Sequence, residues 1–237
     1  MAGSEPSIHR QHRQRLKKRF LTEGLDHFDS VNLLELILFY AIPQGDTNPI
    51  AHRLLDTFGS LSGVMNASYE RLVQVDGVGE HAATLLKLFP QVCRRYLDDC
   101  NATGDIVLDT ETAVRYLSPK FIGRTVETAF LLCLNGRLRV IYCDVIAEGS
   151  QANVSLKLRT IVERAINVNA RRIVIAHNHP GSFALPSHAD VDTTKQLRSA
   201  LQPLGIELYD HLIFADGECV SLRQSGAFKS EVFDLGE

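Results

Sequence analysis

The chain has no Cys-x-x-Cys pair. Its five cysteines, at positions 93, 100, 133, 143 and 219, are scattered and odd in number, which excludes a disulfide framework or a cysteine-built zinc knuckle and fits a reducing compartment. No apolar run approaches the roughly 20 residues that a bilayer-spanning helix requires. The opening residues, from Met1 to Pro6, lack the charged and apolar regions of a secretory signal, so a cytoplasmic protein with no membrane attachment is expected. Internal repeats and low-complexity segments are also absent. Neither half is basic: through Asp105 there are 11 Lys and Arg against 13 Asp and Glu, and afterwards 14 against 15. That balance excludes an extended nucleic-acid-binding surface, so any contact with DNA is expected to be local, weak and without sequence preference.

What is present is a chain of 237 residues, 45% of them hydrophobic, enough for one or two domains with a real core. Residues 1–100 read as a helical domain. Residues 31–40 form an apolar helix bounded by Asp29-Ser30 in front and Pro43 behind, and 49–58 and 69–75 are further helices. Gly77-Val78-Gly79 then precedes a longer helix from Glu80 that packs through Ala82, Ala83, Leu85 and Leu86. Glycines at such a turn leave backbone N–H groups at a helix N-terminus open to phosphate, so Gly77 and Gly79 are candidate DNA-binding residues. The same pattern also describes an ordinary αα-hairpin, and Glu80 stands where a cation would help. Arg10, Arg13, Arg15, Lys17, Lys18 and Arg19 are either a second phosphate contact or a solvated helix face.

Residues 98–105 read as a linker to a second domain, 106–237, of mixed strands and helices. Strands over 128–134 and 138–145 are joined at Asn135-Gly136, the signal of a two-residue hairpin. A helix over 157–167 follows, then an apolar strand ending at Ala176, a helix from Ser187 to Leu201, and a hairpin of 207–215 with 219–222 turning at Asp216-Gly217. The fold class is α+β.

His177-Asn178-His179-Pro180, with Ser187 and Asp190 close behind, carries the chemistry. Residues two apart on an extended chain share a face, so both imidazoles can reach one ion. Asp190, in the first turn of the next helix, can return toward them. Two imidazoles and one carboxylate leave a position open, which is the catalytic pattern of zinc. Ser187-x-x-Asp190 is equally a helix capping box, although capping does not explain two histidines on one face.

The run His177-x-His179-Pro180 followed by Ser187-x-x-Asp190 resembles the signature of the JAB/MPN (JAMM) metalloprotease family. The chain from about His9 to Gly226 is similar to its bacterial RadC branch. The Gly77-Val78-Gly79 turn with its flanking helices resembles a helix-hairpin-helix element, and the family resemblance implies a mixed-sheet, cytidine-deaminase-like metallohydrolase domain after it. It further implies Zn2+ held by His177, His179 and Asp190, with Ser187 assisting the oxyanion. An upstream glutamate acts on the metal-bound water: Glu127 by position, with Glu148 as the alternative. The expected activity is cleavage of a peptide or isopeptide-linked protein. Two other readings stand beside it, a non-enzymatic DNA repair or recombination accessory and, less favoured by a single-metal ligand set, a metal-dependent nuclease. The chain departs from the branch at Pro180-Gly181-Ser182, where Pro-Ser-Gly is usual. It departs again at Lys157-Leu158-Arg159-Thr160, where His-Pro-Arg-Glu is common, so substrate contacts from that segment are not carried over.

Overall fold

The N-terminal helices arise from apolar faces closed by short polar caps. α1 spans Glu5–Glu23. α2 (Ser30–Ala41) starts where the Asp29 carboxylate accepts the Asn32 N–H at 2.7 Å, as an N-cap should. α3 (Asn48–Phe58) has proline in its first turn and ends on Gly59 in left-handed backbone. α4 (Leu61–Asn66), capped by Ser60, is too short for its periodicity to show in the sequence. α5 (Tyr69–Leu72) stops earlier than the expected 69–75, and α6 runs Glu80–Cys100. Leu34, Leu38, Leu54, Leu72 and Leu86 fill their common core.

The computed structural model describes residues 5–100, 105–149 and 158–226. The chain divides into two compact units, Met1–Cys93 and Arg94–Glu237. Asp98 and Asp99, expected in a linker, lie in α6 instead, while 101–104 fall outside the described residues. So do Ser150, Lys157 and the tail from Lys229. Among the described residues no helix is long and apolar enough to cross a membrane.

The second unit is built on a five-stranded mixed sheet, ordered β2-β1-β3-β4-β5. Its strands are β1 (Thr128–Leu134), β2 (Val140–Glu148), β3 (Arg172–Asn178), β4 (Glu207–Ala215) and β5 (Glu218–Ser221). β1 is antiparallel to both β2 and β3, whereas β3 and β4 are parallel and joined through α9 (His188–Leu201). One face, carrying Ala129, Leu131, Ile173 and Ile175, packs on α8 (Leu158–Asn167) and α9. The other, with Phe130, Leu132, Val174 and Leu212, packs on α7 (Thr110–Leu117). Both faces are covered, which is why β1 and β3 are apolar at nearly every position instead of alternating.

The two hairpins differ from each other. Asp216-Gly217 forms the expected two-residue turn, both residues at positive φ, with Ala215 paired to Glu218. Asn135-Gly136 does not. Asn135 bonds through its backbone to Arg139, so the loop holds three residues, with Leu138 left-handed. The Asn135 side chain explains it: Oδ1 accepts N–H groups from Arg137 at 2.9 Å and Arg139 at 3.1 Å. Asn135 therefore works from the turn's first position and not from a left-handed central one, and β2 begins at Val140, later than the expected 138.

Candidate metal centre

The β3-α9-β4 crossover sets the site, because ligands in such units collect beyond the C-terminal ends of parallel strands. His177 and Asn178 are the last residues of β3. His179 follows on, its N–H donating to the Phe214 carbonyl at 2.8 Å. α9 then starts on a Ser187–Asp190 capping box: Ser187 Oγ accepts the Asp190 N–H, and Asp190 Oδ2 accepts the Ser187 N–H at 2.8 Å and its hydroxyl at 2.7 Å. The cap turns the Asp190 carboxylate back toward β3. His177 Nε2 lies 2.9 Å from His179 Nε2 and 3.4 Å from Asp190 Oδ1, and His179 Nε2 is 3.8 Å from Asp190 Oδ2. The capping and ligand readings of Asp190 are therefore compatible, since one carboxylate serves both.

The electrostatics suit this use. Burial pushes the His177 imidazole down to about 4, against the opposing pull of Asp190. Burial also raises the Asp190 carboxyl, but the Ser187 hydroxyl and N–H and the neighbouring His177 outweigh it and hold the group below its ordinary value. At neutral pH the pair is thus a neutral imidazole beside a carboxylate, the protonation states a metal ion requires.

Strand alternation assigns the two glutamates to opposite faces. Ala129 on β1 pairs with His177 on β3, so their side chains share a face. Continuing the alternation one step beyond β1 puts half-buried Glu127 on that same face. Its backbone is pinned there: Asn178 Oδ1 accepts the Thr128 N–H at 2.7 Å, Asn178 Nδ2 donates to the Val126 carbonyl at 3.2 Å, and Gly149 N–H donates to the Glu127 carbonyl at 2.8 Å. Glu148 pairs instead with Thr128, on the other face, and its carboxylate is bound to Arg124 at 3.1 Å.

Three polar residues near the site carry no signal in the spacing. Asn178 ties β3 to the Glu127 segment. His211, wholly buried on β4, lies 2.9 Å from His177 Nδ1 and 2.7 Å from the Thr194 hydroxyl. Strict alternation from the inward-facing Leu208 would turn Asp210, not His211, toward His177. A register shift between the Ile173–Leu208 and Val174–Asp210 pairs reverses this and sets His211 beside Ile175, on the His177 face. The available clue was two ionisable residues inside an otherwise apolar strand, which is costly unless they are partnered.

The family comparisons agree with this domain. Residues 107–227 match the family of the RadC-like JAB domain. The chain belongs to the RadC-like JAB-domain family. This RadC-like chain is 35% identical to a UPF0758 protein of Ruegeria pomeroyi over 221 residues, covering 93% of the chain and 99% of that protein. It is 35% identical to one of Rhodobacter capsulatus, covering 89% and 99%, and 32% identical to one of Fusobacterium nucleatum, covering 91% and 96%.

The N-terminal candidates lie apart from the metal cluster in the sequence. Gly77 requires glycine: its φ is +89°, and a Cβ would meet Ile50 at 2.9 Å. Gly79 faces open space at the start of α6, beside exposed Glu80. Of the six cations on α1, Arg13, Lys17 and Arg19 lie over the rings of Phe39, Tyr40 and Phe28. Arg10, Arg15 and Lys18 are exposed.

Proposed function

We propose that this chain is a zinc-dependent hydrolase of amide or isopeptide bonds, acting on a peptide or isopeptide-linked protein. The observation that supports it is the convergence of His177, His179 and Asp190, whose ligand atoms all lie within 4.8 Å of one another. Two imidazole nitrogens and one carboxylate oxygen are a donor set for zinc with a position to spare. Tetrahedral zinc with nitrogen ligands at about 2.0–2.1 Å separates two ligand atoms by roughly 3.3 Å. The His177–Asp190 spacing of 3.4 Å already has this value, and the 2.9 Å between the imidazoles needs only slight opening.

Zinc held there would polarise the scissile carbonyl and bring the pKa of a water to about 7. Glu127, on the face of both histidines, would accept the proton and return it to the leaving amine. The Ser187 hydroxyl, which donates to Asp190 Oδ2 at 2.7 Å, would have to turn from that bond to donate to the developing oxyanion.

Elemental analysis tests the site: about one zinc per chain in the parent, and near none in a folded His177→Ala, His179→Ala variant. A parent that takes up no zinc when supplied with it overturns the metal centre. A zinc-loaded parent that cleaves nothing in a panel of peptides and isopeptide-linked conjugates overturns the hydrolase and leaves the metal site standing.

A second reading, an accessory that contacts DNA through the Gly77–Gly79 turn, is favoured by the open backbone at Gly79. It predicts weak, salt-sensitive binding by the full chain that is lost when Gly79 is replaced by a bulky residue. Unchanged anisotropy with labelled duplex or single-stranded DNA at low salt rules it out.

A further inference from the structure

We infer that His211 and Thr194 are positioning residues that set the tautomer of His177, so that its Nε2 lone pair faces His179 and Asp190. The inference rests on the metal-centre reading above. It follows from the direction in which a chain of hydrogen bonds must run.

That chain ends at the Asp190 main-chain carbonyl, which can only accept, so the Thr194 hydroxyl donates to it at 2.6 Å. A hydroxyl has one proton. Toward His211 Nδ1, at 2.7 Å, Thr194 can therefore only accept, and Nδ1 carries the hydrogen. His211, 0% exposed with its ring held between Thr194 and His177, is kept neutral by burial, and His177, 1% exposed, is neutral because its burial outweighs the pull of Asp190 at 3.4 Å, so each carries a single ring proton. His211 Nε2 is then a lone pair. His177 Nδ1, 2.9 Å away, must donate to it. That places the one proton of His177 on Nδ1 and leaves Nε2 bare, directed at His179 and Asp190.

His179 Nδ1 lies 3.3 Å from the Phe183 carbonyl, an acceptor, and the tautomer that makes this bond carries its hydrogen on Nδ1 and leaves Nε2 bare. In that tautomer two imidazole lone pairs meet at 2.9 Å, which is repulsive unless a cation lies between them. The chain begins and ends on the ligand set: the turn of α9 that presents the Asp190 carboxylate also supplies the carbonyl that orients His177. Outer partners of this kind fix ligand orientation and basicity in metal sites.

Thr194→Val removes the hydroxyl at nearly constant shape. His211 Nδ1 would then face carbon, and its proton would sit better on Nε2, donating to His177 Nδ1. That forces the His177 proton onto Nε2, the atom a metal needs free. Imidazole nitrogen NMR on metal-free protein near neutral pH should show both His177 and His211 as Nδ1–H tautomers in the parent and as Nε2–H tautomers in Thr194→Val. Zinc affinity, measured by competition with a chelator, should fall about 10- to 100-fold. Thr194→Ser should restore both readings. His177 found as the Nε2–H tautomer in the parent overturns the inference whether or not any variant folds. So does a Thr194→Val protein that binds zinc as tightly as the parent. A parent with the expected tautomers that takes up no zinc overturns the metal centre, and with it the purpose assigned to the chain.

Discussion

Asp210 and His211 are neighbours on β4, both wholly buried, and they face opposite sides of the sheet into two different kinds of polar cluster. Asp210 is surrounded by donors. Its Oδ2 accepts the hydroxyls of Thr110 and Ser221, each at 2.7 Å, and its Oδ1 accepts the N–H groups of His211 at 2.7 Å and Arg223 at 3.2 Å. The carboxylate joins the first turn of α7 to β5 and the turn after it, with its acceptors filled. On the other face, two ring nitrogens of His177 and His179 and the Asp190 carboxylate converge, and on the tautomers inferred above they meet as acceptors. A satisfied buried polar group is a brace, whereas one whose lone pairs face other lone pairs lacks a partner of opposite charge. One face of the sheet is thus closed chemically, and the other holds a group of side chains that could take a metal ion.

Breaking the brace should produce the largest effect. Asp210→Ala removes the acceptor from two hydroxyls and two N–H groups at once, and the expected loss is about 4 kcal/mol, a large part of the stability of a typical domain. Chemical denaturation of the second unit's transition reads it. His177→Ala in metal-free protein should cost less, since on the inferred tautomers it relieves a repulsion at His179 while it removes the contact to His211. Equal losses from the two variants would erase the distinction between brace and site.

Next is the chemistry of the open face. Glu127→Gln keeps shape and most hydrogen bonding but cannot accept a proton, so hydrolysis by zinc-loaded protein should fall by about 100-fold or more while zinc content is unchanged. Loss of zinc together with activity would make Glu127 a ligand rather than a base.

The same contrast sets a pH dependence. The ordinary histidine pKa is about 6.5. Burial pushes His177 down to about 4, and burial with the nearby His177 lowers His211 as well. Below about 6.5 the unfolded chain binds protons that the folded, metal-free chain does not take up until near pH 4. Stability should therefore be full above about 6.5 and fall as the pH drops from there toward 4, on the order of 2 kcal/mol per pH unit while both groups contribute. Denaturation midpoints of chelator-treated protein across that window measure it. His177→Gln should remove about half the slope, and a slope that does not change places the titrating groups elsewhere.

Much of this site is legible as sequence because its parts are local. Histidines two apart at a strand end and an acid in the first turn of the next helix have their geometry set by the periods of strand and helix. The cap at Ser187 and the Asp216-Gly217 turn are local for the same reason. What the chain hides is decided by pairing. His211 reaches the site only because of a register shift on β4, and alternation counted from Leu208 points it the wrong way. Glu127 and Glu148 look alike in the sequence as acids at strand ends, and only the pairing of Ala129 with His177 and of Thr128 with Glu148 assigns them to different faces. The Asn135 loop turns on a finer point, since Asn-Gly marks a hairpin without saying which position the asparagine occupies.

Glu148→Gln should change least, and for that reason it tests the assignment of faces most cleanly. The Glu148 side chain is 56% exposed and sits 3.1 Å from Arg124. A partly solvated pair of this kind contributes about 0–1 kcal/mol, and a glutamine can keep a hydrogen bond to the guanidinium. Stability should therefore shift by less than about 1 kcal/mol. Hydrolysis should stay within about twofold, because a carboxylate on the far side of the sheet has no path to a proton at His177 and His179. Placed beside Glu127→Gln, the pair forms a two-variant test in which only one carboxylate can matter. If Glu148→Gln abolishes turnover and Glu127→Gln does not, the alternation of β1 does not extend to residue 127. The base would then reach the metal from the β2 edge, with Arg124 holding it in the resting state.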